Sequence, residues 1–423
     1  RAAGHVLVRF RGPLAAGEAE RIARGAGGRA LRPARFGGFA RVEVTPGKTP
    51  EELAVRLSGR AEVLWAETDP LVGAAARRVV AAAAPNDPLF PLQWHFQRVG
   101  VEEALDRNPT DGAGVVVAVL DTGVAAGGGA AFPARTAPDL EGTLVLPGLD
   151  LVDGGPAWDE GSAADPERPF QSLRFGHGTF VASIIAATVN NGLAGASVAP
   201  RVSILPVRVL DVDGFGLTSD IAEGIHFAIG EGARVINLSL GGTSGARVMA
   251  EAVAAAARAG VVVVAAAGNE AEDDVFEDEL GRDVAFPARL PQAIAVGATA
   301  FDDRRASYSN FGPGLDLVAP GGGDNREISG DRRDGILATS FLHDPRNGET
   351  IYGAFWATGT SFAAPHVAGA AALLVALGVD DPEAVRAMLE ATARDLGPPD
   401  LDQETGRGLL DAAAAHRGVG LTF

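Results

Sequence analysis

Five runs of β-branched and small apolar residues between positions 115 and 298 constrain this chain more than any other feature. They are VVVAVLD at 115–121, VSILPVRVL at 202–210, ARVINLSL at 233–240, GVVVVAAAG at 260–268 and AIAVGA at 293–298. The segments 177–189, 218–230 and 245–259 between them are each long enough for a crossover helix. Near-continuous apolar strands separated by helices predict a doubly wound, mainly parallel α/β sheet with helices on both faces. In such a fold the functional groups gather in loops at the carboxyl ends of the strands.

A different pattern precedes it. HVLVRF at 5–10 reads as a strand, 15–27 as a helix, 29–34 and 38–44 as strands, 50–58 as a helix and 61–68 as a strand. That order, β-α-β-β-α-β, predicts a small α+β, ferredoxin-like domain over residues 1–72. Residues 70–86, PLVGAAARRVVAAAAPN, lose periodicity and are rich in small residues, so 73–86 is expected to be a linker open to proteolysis. The large domain then spans 87–423. Residues 1–80 carry 14 Lys and Arg against 8 Asp and Glu, or +6, whereas the whole chain is at −18, leaving −24 for the remainder. A basic module docking on an acidic one is the expectation.

Composition removes several alternatives. With 423 residues, 47% hydrophobic and 21% charged, the chain has packed cores rather than disorder. It contains no Cys, which excludes a disulfide scaffold, a cysteine-ligated zinc and a cysteine nucleophile. Its longest apolar stretch, His366–Val379, is shorter than the ~20 residues that span a bilayer. The acidic large domain argues against nucleic-acid binding. GAGVVVAVLD is not a dinucleotide fingerprint, because its glycines precede the strand instead of following it. No feature calls for an oligomer, so a monomer is expected.

Three residues then share one edge of the predicted sheet. Asp121 ends the first strand in VVVAVLDTG, His177 opens a helix in FGHGTFVASIIAA, and Ser361 opens another in GTSFAAPHVAGAAALL. Singly, each is also what a turn or helix cap supplies. Together they provide a hydroxyl nucleophile, an imidazole base and a carboxylate to orient the base, the set that acyl transfer by serine requires. The glycines flanking His177, and Gly359 before Ser361, leave room for a substrate backbone. An α/β-hydrolase esterase is excluded, since no Ser has a Gly two residues before and two after it.

DTG, HGT and GTSFAAPHVAG, in that order, resemble the subtilisin-like serine peptidases, over about Asp87 to Ala415. The resemblance implies a serine endopeptidase with polypeptide substrates, in which Ser361 is the nucleophile, His177 the general base and then acid, and Asp121 the group that orients it. It implies that Asn269 in AAAGNE donates to the oxyanion beside the Ser361 backbone N–H. Substrate is expected to add as a strand between SLGG (Ser239, Leu240, Gly241, Gly242) and DGFG (Asp213, Gly214, Phe215, Gly216). Ala285 in VAFP falls near the base of the primary specificity pocket, where a small residue leaves room for an apolar side chain; the acidic loop Glu270–Glu279 would instead favour a basic one.

The family commonly binds calcium, and Asp87, Asp139 and Asn191 match positions that supply side-chain oxygens to one such site. The β-α-β-β-α-β unit resembles the family's propeptide, an inhibitor and folding assistant, which makes the chain a secreted precursor that cleaves its own linker between Gly73 and Pro85. The chain opens at Arg1 with no signal-type n-region and apolar h-region. Two positions depart from the family pattern: Phe180 stands where a second His is frequent, and Phe362 where Met is usual. Extra residues also lie between Asp121 and Asp139 and between Leu337 and Tyr352. A catalytically silent binding protein on the same fold is the alternative, and it would have lost one of Asp121, His177, Ser361 or Asn269.

Overall fold

The computed structural model describes the chain except for residues 1, 16, 75–77, 82–88, 109, 127–135, 156, 158–173, 273–281, 324–333, 345–348 and 420–423. The side chains of residues 2–3, 70–74, 78–81 and 174 are likewise outside the description.

The N-terminal unit runs β1 (Ala2–Phe10), α1 (Glu18–Ala26), β2 (Gly28–Pro33), β3 (Ala40–Val44), α2 (Pro50–Ser58) and β4 (Val63–Ala74). A short strand, β5 (Arg78–Ala81), follows, then α3 (Trp94–Arg98) and α4 (Val101–Arg107). The large unit continues with β6 (Val116–Asp121), the two-residue strands β7 (Leu144–Val145), β8 (Leu149–Asp150) and β9 (Arg174–Phe175), α5 (His177–Ala186), β10 (Ser203–Arg208), β11 (Phe215–Leu217) and α6 (Thr218–Gly230). Next come β12 (Val235–Leu238), β13 (Leu240–Gly241), α7 (Arg247–Arg258), β14 (Val262–Ala266), β15 (Ala293–Thr299) and β16 (Leu317–Pro320). A long hairpin of β17 (Ile336–Asp344) and β18 (Glu349–Thr358) leads into α8 (Thr360–Ala376), and α9 (Pro382–Thr392) and α10 (Ala412–Val419) close the chain.

The large sheet has the order β16-β15-β14-β12-β6-β10-β7, with β8 also on β10, and these pairings are parallel. β6 lies inside it, so Asp121 emerges at the carboxyl end of a strand paired on both sides. Helix α8 is buried from Thr360 to Val375, as expected of a helix that is apolar all round. The run 233–240 does not form one strand: it breaks at Ser239 into β12, which stays in the sheet, and β13, which leaves it.

The N-terminal sheet is antiparallel and has two different faces. Val6, Val8, Val42 and Val63 pack with Ala23, Ala26, Leu53 and Leu57 of α1 and α2 in a core of their own. Leu7, Phe39 and Trp65 belong instead to the core of the large unit. The period of two along a strand thus divides the sheet between its own helices and a docking surface.

Polar contacts register that docking. Glu67 accepts from the N–H groups of Arg247 and Val248 at 2.7 and 2.9 Å, and Asp69 accepts from Ser219 N–H and Oγ at 3.2 and 2.7 Å. Two carboxylates on alternate positions of β4 therefore meet the starts of α7 and α6, where unpaired N–H groups and the helix dipole favour negative charge. Arg9 pairs with Glu251, and Arg41 pairs with Asp220 and Glu223. The expected attraction of a basic unit for an acidic one is carried by these two arginines, while Glu67 and Asp69 work in the opposite sense.

Where the sequence loses periodicity, the structure keeps extended backbone. β4 continues to Ala74, and β5 occupies 78–81 within the expected linker. Residues 71–74 pair with β11 and β13, and residues 78–81 with β18. Their partners are distant in sequence, so no local alternation marks them.

Asp220, Asp69 and Glu223 share a single guanidinium, that of Arg41. Burial lifts the Asp220 carboxyl to about 7 against the pull of Arg41, and Asp69 and Glu223 add to the rise. A carboxyl whose pKa is higher in the docked state favours docking fully below its free value, roughly 4, and loses that contribution as pH climbs through about 7. Hydrogen-exchange protection factors of β1 and β3 should therefore fall between pH 5.5 and pH 8.5. Asp220→Asn should flatten that dependence; an unchanged pH profile in this variant would remove Asp220 from the linkage.

Candidate active site

Asp121 and His177 meet because α5 lies tightly against the end of β6. A Cβ on Gly178 would come within 2.1 Å of the Gly123 carbonyl oxygen and 3.0 Å of the Asp121 Cβ, so only glycine allows this approach. His177 Nδ1 is 2.7 Å from Asp121 Oδ1, which also accepts from Thr122 N–H at 2.8 Å. The carboxylate is fully buried and His177 is 4% exposed. An ionised carboxylate on Nδ1 selects the tautomer with its proton there and leaves Nε2 as the basic nitrogen. His177 Nε2 has no hydrogen-bond partner among the described residues.

Ser361 is the second residue of α8 and is buried. Its Oγ donates to the Ser239 carbonyl at 3.0 Å, not to His177, while Ser239 Oγ donates to the Ser361 carbonyl at 2.7 Å. Asn237 Nδ2 donates to Ser239 Oγ at 2.9 Å, so the buried polar chain Asn237–Ser239–Ser361 ties β12 to the nucleophile helix. The two departures from the family pattern prove to be one contact. Phe180 and Phe362 lie 4.6 Å apart between centroids, and Phe362 is 5.4 Å from the His177 ring. Two aromatic rings thus pack behind the imidazole, a support invisible when each departure is read alone.

Asn269 follows β14, and its Oδ1 accepts from Thr360 N–H at 2.9 Å and Thr360 Oγ1 at 3.0 Å. Thr360 Oγ1 also accepts from Gly268 N–H at 3.2 Å. The carbonyl branch of the amide is thus held against the start of α8. Sequence reasoning missed Thr360, although its place immediately before Ser361 in GTS was the available signal.

Of the residues expected to flank a substrate, some pair with the end of β4. Leu240 and Gly241 pair with Ala74 and Gly73, and Phe215, Gly216 and Leu217 pair with Gly73, Val72 and Leu71. Asp213 and Gly214 do not take part: they form a turn in which Asp213 N–H donates to Asp211 Oδ1 and Gly214 has φ 80°. Gly242 pairs with Phe286 instead of with β4. Ala285 lies behind β13, where a Cβ on Gly241 would come 3.1 Å from its own. Leu217, absent from the expected set, belongs to the ladder.

Asp139 and Asn191 are brought together. Asn191 Nδ2 donates to Asp139 Oδ1 at 2.9 Å, and Gly195 N–H and Thr339 Oγ1 donate to Oδ2 at 3.1 and 3.2 Å. Asp87 lies outside the described residues. Burial raises the Asp139 carboxyl above the usual carboxylate range.

An Asp–His pair and a serine at the carboxyl edge of a parallel sheet, beside an oriented amide, recur on unrelated folds, so the comparison of whole chains decides between them. Residues 112–408 match the model of the subtilase family. The chain belongs to that family. Subtilisin BL of Lederbergia lenta is 37% identical over 330 residues, covering 77% of this chain and 99% of that protein. An extracellular basic protease of Dichelobacter nodosus is 33% identical over 377 residues, covering 80% of this chain and 56% of that one. Fervidolysin of Fervidobacterium pennivorans, described as a keratinolytic enzyme related to subtilisin, superposes with a TM-score of 0.75 at 24% identity. That likeness of fold covers 98% of this chain and 61% of fervidolysin, so it takes in the N-terminal unit as well as the large sheet. The subtilase is a serine endopeptidase, and no helix among its described residues is long and apolar enough to cross a membrane.

Two substitutions separate the amide from its support. Asn269→Ala should lower turnover roughly 10²–10³-fold, the loss recorded for the corresponding amide donor of subtilisin. Thr360→Val, which removes one of the two donors to Asn269 Oδ1, should lower it by roughly five- to tenfold, the range of one hydrogen bond, with Thr360→Ser close to wild type. Equal turnover in Thr360→Val and Thr360→Ser would show that the hydroxyl does not hold Asn269.

Proposed function

We propose that this serine endopeptidase is made as a secreted precursor whose N-terminal unit inhibits it and is removed by the enzyme's own cut between Ala74 and Arg78. The observation that carries this reading is the antiparallel pairing of residues 71–74 with both β11 and β13. A chain threaded between two edges as a third strand is the way an extended peptide is recognised by a sheet, through main-chain bonds that no side chain needs to supply. Only residues 75–77 separate that strand from β5, which is paired on the other side with β18. Secretion is supported by the extracellular relative.

In the reaction, Ser361 Oγ releases its bond to the Ser239 carbonyl and attacks the scissile carbonyl carbon as His177 Nε2 takes its proton. The imidazolium is stabilised by Asp121 at Nδ1. The tetrahedral oxyanion accepts from Asn269 Nδ2 and from Ser361 N–H at the start of α8, where the dipole adds to the attraction. Collapse expels the amine as His177 returns the proton, leaving the acyl group on Ser361. Water, deprotonated by the same nitrogen, then releases the acid. Ala285 behind β13 favours an apolar residue at the acyl side of the cut bond. The cleft strand itself is small there, with Gly73 and Ala74.

One feature supports a calcium ion beside Asp139, with Asn191 Oδ1, which now accepts from Leu193 N–H, turning toward it. That carboxylate is buried among neutral donors, and among the described residues no cationic side chain pairs with it. Asp139, Asn191 and Asp87, with carbonyls of the loop after α5, would hold a hard cation, whose part is to neutralise this buried charge and fix the loop.

Ser361→Ala should keep the fold and stay at full length, while wild type splits at a bond within 74–78; mass spectrometry of both proteins reads this directly. Splitting of Ser361→Ala at the same site would assign the cut to another protease. Chelation of calcium should lower the melting temperature of wild type, and Asp139→Asn should abolish that shift; equal shifts in the two would move the ion elsewhere.

A further inference from the structure

We propose that Asn310 is a positioning residue for the oxyanion amide: it fixes the backbone of the turn Gly268–Glu270, as Thr360 fixes the side chain of Asn269, so that the amide meets the transition state already in place. The inference rests on the reading of Asn269 as an oxyanion donor. β14 ends at Ala266, so residues 268–270 carry the amide beyond the ladder pair of Ala266 with Val296. Their three successive N–H groups go to side chains instead. Gly268 N–H donates to Thr360 Oγ1 at 3.2 Å, Asn269 N–H to Glu270 Oε2 at 2.9 Å and Glu270 N–H to Asn310 Oδ1 at 2.8 Å.

Asn310 closes this turn from several directions at once. Its Nδ2 donates at 2.7 Å to Glu270 Oε2, the same oxygen that receives Asn269 N–H, and its backbone N–H donates to the Gly268 carbonyl at 3.0 Å. The second Nδ2 hydrogen goes to the Asp283 carbonyl at 3.1 Å, so the acceptor and both donor hydrogens of the amide are engaged, in a residue that is 2% exposed. Gly268 makes the approach feasible: its φ is 107°, and a Cβ there would lie 2.3 Å from Asn310 Nδ2 and 2.7 Å from Glu270 Oε2. Glu270 was expected to draw basic substrate side chains, yet its Oε2 is engaged in holding the turn. An oxyanion donor works by being aimed before the charge develops, and a donor carried on a turn is aimed only as well as the turn is held. Loss of the clamp therefore acts on the transition state and leaves binding of the ground state in place, which appears as a lower kcat at an unchanged KM.

The test measures kcat and KM on a short chromogenic peptide with an apolar residue at the acyl side of the cut bond, using the full chain after self-cleavage, with the melting temperature alongside. Self-cleavage itself, followed by mass spectrometry, reads the same chemical step where a variant matures slowly. Asn310→Ala, and the equally shaped Asn310→Asp that sets an oxygen against Glu270 Oε2 and the Asp283 carbonyl, should each lower kcat roughly 10- to 100-fold, the effect of two or three lost hydrogen bonds, with KM within about twofold of wild type. In the Asn269→Ala background the same substitutions should change turnover by less than about twofold, because their effect runs through an amide already removed. Glu270→Ala should repeat the loss and Glu270→Gln should recover most of it, since both N–H bonds end on one oxygen that an amide also supplies. This second pair decides the matter if the Asn310 variants do not fold. A lower melting temperature with kcat unchanged, or losses that multiply in the double variant, overturns the proposal and leaves Asn310 a packing residue. If Asn269→Ala is as fast as wild type, the reading of the oxyanion amide falls and the positioning role with it. If Asn269→Ala is slow while the Asn310 and Glu270 variants are fast, only the positioning role falls.

Discussion

A parallel sheet covered on both faces gathers its functional groups in the loops at its strand ends, and the chemistry of this chain follows from that placement. β6 is held by β12 as far as Val119 and by β10 to its end, where Asp121 pairs with Arg208. His177 reaches it because Gly178 lets α5 lie against the strand end. Ser361 is placed differently: α8 is buried over its first sixteen residues, and the nucleophile inherits the rigidity of close packing. Asn237, Ser239 and Ser361 then join the sheet to that helix by a chain of buried hydrogen bonds, with Asn237 Oδ1 left without a partner among the described residues.

The second constraint is that the cleft is made of edges. β11, β13 and β18 each expose main chain at the same opening, and one segment of the chain, 71–81, pairs with all three around the undescribed residues 75–77. Segment and edges are far apart in sequence, so the contact depends on the N-terminal unit being docked. Docking in turn rests on one face of a small sheet whose other face already serves α1 and α2. Glu67 and Asp69 stand on β4 just before the cleft segment, and their bonds to α7 and α6 fix where that strand enters.

What could be read in the sequence was what is local. DTG, HGT and GTS each hold a reacting residue in a short context that also shows its place at a strand end or helix start, and the apolar runs located the strands of the large sheet. Helices 50–58 and 218–230 were legible to the residue because each carries its own apolar pattern. Features built from distant pairs were not legible. The expected linker holds the end of β4 and all of β5, whose partners lie more than a hundred residues away. Asp213 and Gly214 looked like a glycine-rich edge, yet the turn they form ends just before the ladder begins at Phe215. Phe180 and Phe362 read as two unrelated departures until their rings were seen to touch. The resemblance pointed to Asn269 as a neighbour of Ser361, but only the geometry shows Thr360 bonded to its Oδ1.

The two contacts that hold the N-terminal unit answer to different variables. The ladders of 71–74 and 78–81 are main-chain bonds, which do not titrate in the working range of a protein. The docking face contains Asp220, Asp69 and Glu223 around one guanidinium, and its strength falls as pH rises through about 7. While the chain is whole, covalent attachment keeps the unit at high effective concentration, so weakening of the face produces little release. Once a bond between 74 and 78 is cut, that advantage is gone and the strand 71–74 is held only by its ladder and by the unit to which it belongs. Departure would then depend on the docking face, where Asp220 and Asp69, both raised by burial, favour separation at higher pH. The proposed cut would thus convert a retention that is nearly indifferent to pH into one that is sensitive to it, with no change in the contacts themselves.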